Sequence, residues 1–576
     1  IILTNIYFCL DKNSISIIRY DCINVRELNL KLNFCQSNNF NKGDYMKHFT
    51  FQIVIIVISV FLLFGTAQAD KRTLRIAVAD DVATMDPTFG QSGATNLFLK
   101  NTYLQPIQYA IPKGSYESTN ADTTIFEGNS VESWKVTNNG RNVLLTIRKG
   151  MTFPTTGNPV TADDFWWTLE RALGTKAGPA WVWGNIGIAS MDQVKRVNEW
   201  TIELVDTRPS AIQFPLMRDQ TLGLLDSKEV SSHATSDDPW ALKWMSRNYA
   251  GNGAYVLETW EPGTRIVLKA NSSFFAEQPY FNRIELLVIP ESSNRLAMLS
   301  TGDVDIAFAL SAAELSRVEK ARGVKVLSIP DRQKLNVGLN VRKGAKFENV
   351  ALRQSLAYAV PYDDIVYGVL KNRAAKSAGP MSVNSRFFDL YNLADMPSYY
   401  TDLDKARDLL KESGNGDGFS FELITAKGVP HVEQAAASLK ASFAKIGVDM
   451  TITPVSQAKM AEKNGQGTYD AFMRDWLTDY VDDPYYHFFL WWGTGVVINW
   501  TGYSNTQVDE WYQSTAAIVD DTKRRAPYRN AIRQLIKDSA MLWLADGDYT
   551  LAVRDDIVGI TLHPDTLLYL RPLKRR

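Results

Sequence analysis

Between Trp476 and Trp511 the chain carries Tyr480, Tyr485, Tyr486, Phe488, Phe489, Trp491, Trp492, Trp500 and Tyr503. Asp475, Asp479, Asp482 and Asp483 lie beside or among them. Aromatic faces pack apolar groups and attract cations, and a carboxylate in a partly dehydrated site holds an ammonium strongly. Trp491-Trp492-Gly493-Thr494-Gly495 also sets large rings beside glycines. The combination suits a pocket that packs apolar groups and anchors a cationic one. Core packing is the plainer reading of any single ring, and an acidic turn before Pro484 is the plainer reading of Asp482-Asp483.

Catalytic patterns are missing. The chain has no G-x-S-x-G elbow, no G-x-x-x-x-G-K-[ST] phosphate loop and no H-E-x-x-H zinc helix. Gly414-Asn415-Gly416-Asp417-Gly418 follows a helical stretch and precedes a strand-like one, the reverse of a phosphate loop, and reads as a helix stop and turn. Beyond residue 69 the histidines are His233, His431, His487 and His563, with no metal-ligand spacing between any two. No metal, cofactor or enzyme activity is expected, although a catalytic site assembled from distant residues stays open.

The elements that must position these residues mix strands and helices. Leu74 to Ala79 reads as an opening strand. Ser133–Val136 and Val143–Arg148 flank Asn138-Asn139-Gly140, a hairpin signal. Thr161 and Asp164 form a capping box for a helix with Phe165, Leu169 and Ala172 on one face. Trp200–Val205 is a strand. Gly253–Trp260 and Arg265–Ala270 form a second hairpin around Glu261-Pro262-Gly263, and Ile284–Ile289 is a further strand. Helices are expected at Asn294–Ser300 and at Val350–Val360, which Pro361 stops. Thr401–Ser413 is expected to be a helix capped by Thr401 with Asp404. Phe419–Ile424, His431–Ile446 and Val448–Ile452 then read as strand, helix and strand. Hairpins early and αβαβ units later predict an α/β protein of two or more lobes.

Composition agrees and adds a compartment. The 576 residues are 22% charged and 45% hydrophobic, with net charge −1, which excludes a disordered chain and disfavours a broadly basic nucleic-acid-binding surface. The first methionine is Met46. Lys47 and His48, an apolar run from Phe49 to Phe64 and Ala67-Gln68-Ala69 follow in the order of a secretory signal, with cleavage expected before Asp70. Residues 1–45 are read as upstream sequence. The exported chain would have 507 residues with 56 Lys/Arg against 59 Asp/Glu, net −3. Cys9, Cys22 and Cys35 all precede it, so it would contain no disulfide and no thiol nucleophile.

Motifs in a consistent order from about Leu74 to Gly559 carry a resemblance. They are Met85-Asp86-Pro87; Val131-Glu132-Ser133-Trp134-Lys135-Val136; Leu145 to Phe153; Pro159 to Phe165; and Gly251-Asn252-Gly253-Ala254-Tyr255. Arg295 to Ile306, Asn340 with Val350 to Leu356, Leu409-Leu410 with Gly418-Phe419, and Gly502-Tyr503-Ser504-Asn505 with Val508-Asp509 follow. No single motif is specific; their number and order are. The chain resembles the periplasmic dipeptide/oligopeptide-binding proteins, extracellular solute-binding family 5 of ABC importers. The resemblance implies an α/β periplasmic-binding-protein type II fold, two large lobes around a ligand cleft with an additional small domain. Lobe I would comprise residues 70–112, 241–333 and 544–576, the small domain 113–240, and the hinged lobe II 334–543, after a signal peptide at 46–69.

The resemblance also implies a site and partners. In the family's peptide-binding members a W-x-x-D motif sets an aspartate against the ligand's α-amino group. Trp476-Leu477-Thr478-Asp479 matches it, which makes Asp479 the leading site residue. Strand-like pairing with a peptide main chain would fall to Asp475, Trp476 and Leu477, and, after Asp86-Pro87, to Gln91, Ser92 and Gly93. Arg474 and Arg373 are both candidates for a ligand carboxylate, and neither motif decides between them. The implied role is a monomeric periplasmic protein that captures short peptides and delivers them to an inner-membrane permease, with an opine, an oligosaccharide or another small solute as the alternative cargo.

Overall fold

The computed structural model of the chain describes residues 8–11, 14–17, 72–90, 93–114, 116–391, 395–478, 480–496, 498–563 and 567–576. Two compact units divide after Asp70. In the first, Phe8–Asp11 and Ser14–Ile17 form an antiparallel pair. The expected signal segment lies outside the described residues.

The second unit is built on a 12-stranded mixed sheet. Thr73–Val78, the expected opening strand, lies inside it, parallel to Arg283–Val288 on one side and to Ile306–Ala307 on the other. Its residues are almost all buried, as a strand covered on both faces must be. The sheet ends on this side in the hairpin Tyr255–Glu261 with Arg265–Ala270, and at its other end in Phe419–Ala426 parallel to Val448–Val455.

Two long antiparallel strands join these halves, Val324–Leu339 and Met541–Arg554. Val324–Ile329 pairs with Tyr549–Arg554, next to Ile306–Ala307. Gln333–Gly338 pairs with Met541–Gly547, next to Ala471–Met473. The ladder shifts register between Ile329 and Gln333, leaving Pro330, Asp331 and Arg332 out of it. Proline has no N–H to give a ladder, and such a bulge bends a strand. The long strands were not legible in the sequence, because Pro330-Asp331-Arg332-Gln333-Lys334 breaks any two-residue alternation.

A separate four-stranded sheet contains the expected hairpin, Val131–Thr137 with Asn142–Ile147, followed by Thr201–Leu204 and Val194–Asn198. Asn138 and Asn139 adopt positive φ at its turn, as asparagine tolerates. The helix Ala162–Thr175 packs on this sheet with Phe165, Leu169 and Ala172 buried, and Thr161 and Asp164 make the reciprocal capping box.

One boundary is corrected. The helix expected at Thr401–Ser413 runs over Leu403–Glu412, and Asp402, not Thr401, caps it by accepting from the Lys405 N–H. Thr401 instead donates its hydroxyl to the Val360 carbonyl, tying the helix to the end of Val350–Ala359. The helix Asp521–Asp538 escaped sequence reading because Pro527 and six basic residues interrupt its apolar pattern. It is held by the buried face of Tyr528, Ile532, Leu535 and Ile536.

Candidate functional site

The expected peptide-binding segment sits beside the crossing strands. Leu477–Thr478 forms a two-residue strand opposite Lys334 and Gln333. Its other edge pairs with no strand among the described residues. An open edge presents unpaired N–H and C=O groups that an extended chain can use.

Trp476, next to that strand, is held on two sides. Its ring covers Gly547 of the second crossing strand, where an added Cβ would lie 2.7 Å from the ring. Glycine inside a strand marks such a close approach. On the other side the ring stacks on the imidazole of His431, with centroids 5.3 Å apart and planes 22° apart. His431 is the second residue of the helix Pro430–Ala444, so the helix start presses on the segment. Asp475 is half-exposed. Its carboxylate accepts the Trp476 N–H and lies 2.9 Å from His431 Nε2, close but without hydrogen-bond alignment.

Gly93 opens the helix Gly93–Thr102 and is exposed. Asp479, Gln91 and Ser92 lie outside the described residues. What precedes Gln91 is rigidly built. Asp86 caps the turn Pro87–Phe89 through the Thr88 N–H. Both its carboxylate oxygens accept from Arg171, at 3.0 and 2.6 Å, and both side chains are fully buried. Arg171 also donates to the Thr88 hydroxyl and the Trp240 carbonyl, so Met85-Asp86-Pro87 is a structural clamp on the loop.

The two arginine candidates separate. Arg373 is engaged by Glu319 at 2.7 Å. Arg474 makes no hydrogen bond or ion pair with any described residue, and its guanidinium lies over the Trp500 ring, 4.5 Å from the centroid. Burial lowers Arg474 below the ordinary arginine range, with Tyr480 and Asp475 opposing. The Trp500 carbonyl is in turn held by Tyr469 and Arg342, which fixes the ring under the guanidinium.

Beside Trp500 a cavity of about 30 Å³ opens between Lys334 and Asn336 of the first crossing strand, Phe472, Trp491 and Ile498. Its polar neighbours are largely engaged. The Lys334 ammonium donates to Asp546 and the Ser377 hydroxyl, and His487 Nε2 accepts from Trp492. The acidic turn is also structural. Asp483 caps Pro484–His487 and is buried against Arg524, while Asp482 accepts from Ser385 and from the Arg386 N–H.

Sequence reasoning missed His431, Gly547 and the contacts that reach the aromatic run from elsewhere. Trp181, in the helix Gly178–Ile186, stacks on Phe489 at 6.0 Å and 23°, and Arg218 donates to the Tyr480 carbonyl. None left a clear local signal: Gly547 stands between Asp546 and Asp548, a sequence that reads as a turn and not as the inside of a strand. Among the described residues no group of three or more His, Cys, Asp or Glu could hold a metal ion, and no helix is long and apolar enough to cross a membrane.

A mixed sheet joined through two bent strands, with an open strand edge and a ring-lined cavity at the junction, defines a solute-binding protein. Residues 126–496, more than half of the chain, match the model of bacterial extracellular solute-binding proteins, family 5, and the chain belongs to that family. The probable D,D-dipeptide-binding periplasmic protein DdpA of Escherichia coli K12 is 26% identical over 519 residues, covering 89% of this chain and 96% of the relative. The periplasmic binding protein DppA of Helicobacter pylori, solved with the peptide STSA, superposes with a TM-score of 0.74 at 20% identity, over 87% of this chain and 98% of that one. AgaA of A. tumefaciens R10, solved with agropinic acid, gives 0.72 at 18%, over 88% and 99%. These neighbours share the type II binding-protein fold, two lobes around a cleft with an additional small domain.

Proposed function

We propose that the chain is the periplasmic solute-binding component of an ABC importer, exported through the Met46–Ala69 signal, and that it captures short peptides by cleft closure and hands them to a membrane permease. It acts as a monomer without catalysis. Lobe I is formed by residues 70–112, 241–333 and 544–576, the small domain by 113–240 and lobe II by 334–543. The observation that carries this reading is the open edge of Leu477–Thr478, lodged between the crossing strand and the Trp476–His431 stack. An extended peptide adds to such an edge through its main chain, which gives affinity without dictating side chains. Asp479 follows at once and takes the α-amino group, while Gln91, Ser92 and Gly93 hold the peptide from the other lip. The names of DdpA and of the STSA-bound DppA agree with a peptide cargo. Closure requires only that the ligand favour the closed state over the open one.

The test is calorimetric titration of the protein from Asp70 onward with Ala-Ala, its all-D counterpart and N-acetyl-Ala-Ala. A charge-assisted bond contributes about 1.5–3 kcal/mol, so Asp479→Asn and N-acetylation should each weaken binding roughly 10- to 100-fold. Equal binding of free and acetylated peptides removes the amino anchor. Mass spectrometry of the ligand retained on gently purified protein decides the cargo, and an opine-like or sugar mass in place of peptides overturns the peptide reading.

A further inference from the structure

The cavity beside Trp500 has a polar floor that the fold leaves unsatisfied. Asn336 of the first crossing strand and Trp543 of the second are register partners, so their side chains share one face of the sheet. Both are more than nine-tenths buried, and both line the cavity. Neither the Asn336 carboxamide nor the Trp543 indole N–H has a hydrogen-bond partner among the described residues, yet both stay reachable from the cavity. A buried polar group without a partner costs about 1–3 kcal/mol. The pair therefore favours an occupant that accepts from the indole and also bonds the amide.

The remaining walls set the size and charge of that occupant. The cavity of about 30 Å³ has room for about two water-sized groups, at about 10–15 Å³ each. Phe472, Trp491, Trp492 and Trp500 wall it with rings, and the part-exposed Trp491 and Trp500 form its rim. Lys334 also lines it, but its ammonium is spent on Asp546, the Ser377 hydroxyl and the Met381 carbonyl. An ionised group would lose its hydration there without gaining a counter-ion. Lys334 pairs with Leu477 across the ladder. A peptide strand on the open edge would therefore run about 10 Å from Lys334 and send every second side chain to the face that Lys334 shares with Asn336.

We propose that Asn336 and Trp543 form the floor of a side-chain subsite that selects a short, uncharged, hydrogen-bonding group, the hydroxymethyl of a serine residue. This rests on the reading of the cleft as a peptide site. The carbon and oxygen of that group fill the two water-sized places. Its hydroxyl accepts from the Trp543 N–H and donates to the Asn336 carboxamide oxygen, reproducing the bonds of the water it displaces. An ethyl side chain of the same shape displaces the same water and leaves both floor groups unpaired. Sites built to bond a hydroxyl reject the analogue that lacks it for this reason.

Calorimetry with Ser-Ala, Ala-Ser and the two matching dipeptides that carry 2-aminobutyrate in place of serine tests it, with circular dichroism melts to verify folding. The two side chains differ only in hydroxyl against methyl. At one of the two positions wild type should bind the serine peptide at least tenfold more tightly than its 2-aminobutyrate counterpart. A smaller ratio at both positions overturns the subsite while leaving the peptide reading standing. Asn336→Leu should narrow the wild-type ratio at least fivefold and change the affinity for the 2-aminobutyrate peptide less than threefold, a split that a general loss of structure would not produce. Trp543→Phe provides the same readout should the leucine variant fail to fold. A ratio narrowed less than fivefold in the folded variants overturns the assignment to Asn336 and Trp543. If none of the four peptides binds the wild type, the peptide reading itself fails and the subsite falls with it.

Discussion

At the scale of the residue, Gly547 and Trp476 are one device. An added Cβ at 547 would meet the indole at 2.7 Å, closer than carbon atoms pack, so the ring must leave. Trp476 is only partly buried, so its displacement should cost little stability but should reshape the edge that follows it. Gly547→Val is therefore expected to weaken peptide binding at least tenfold by calorimetry while shifting the urea unfolding free energy by less than about 1–2 kcal/mol. An unchanged affinity would separate the Trp476 ring from the site. The Asp86–Arg171 pair behaves in the opposite way. Both side chains are fully buried and mutually satisfied, and removing one leaves the other charged in the core. Asp86→Ala should destabilise by about 3–5 kcal/mol in urea denaturation, and a loss below 1 kcal/mol would show that the clamp is not formed.

At the scale of the element, local rules hold where one helix or hairpin settles its own ends. Thr161 and Asp164 are visible in the sequence as a capping box, and the structure forms it. Thr161→Ala should cost about 1 kcal/mol in the same denaturation measurement, with Thr161→Ser restoring most of it. The Asn138-Asn139-Gly140 turn was legible for the same reason, since asparagine and glycine accept the positive φ it requires. The crossing strands were not legible, because residues 330–332 lie outside their ladder and only pairing 200 residues away makes Val324–Leu339 one strand. Thr401 shows a smaller failure of the same kind. It has the chemistry of a cap, but the Val360 carbonyl, brought near by packing, takes its hydroxyl first.

At the scale of the whole molecule, contacts between distant segments would bias the proposed closure. The buried residues of the four-stranded sheet and those of the aromatic run belong to one continuous apolar cluster, and at its edge the exposed Trp181 stacks on Phe489. An aromatic pair of this kind is worth about 0.5–1.5 kcal/mol beyond its buried area. Any interaction made only in the closed form shifts the equilibrium toward it and raises apparent affinity. Trp181→Ala should therefore weaken peptide binding roughly three- to tenfold and enlarge the radius of gyration of the unliganded protein in solution scattering, with saturating peptide restoring the compact form. Scattering identical to wild type without ligand would show that the stack does not hold the lips together.

The sequence by itself determined the family, the mixed α/β class, and most helix ends and hairpins, because caps, turns and ordered motifs are written within a few neighbouring residues; the site proposed at 475–479 also comes from such a motif. It named Arg474 and Arg373 with equal weight. Tertiary structure separated them: Glu319, 54 residues away, pairs with Arg373, and nothing among the described residues pairs with Arg474. It likewise brought His431 and Gly547 to the two faces of Trp476, and Lys334 opposite Leu477. Pairing, stacking and counter-ion contacts fall off within a few ångströms, so they depend on which distant segments the fold brings together, and no local pattern records that.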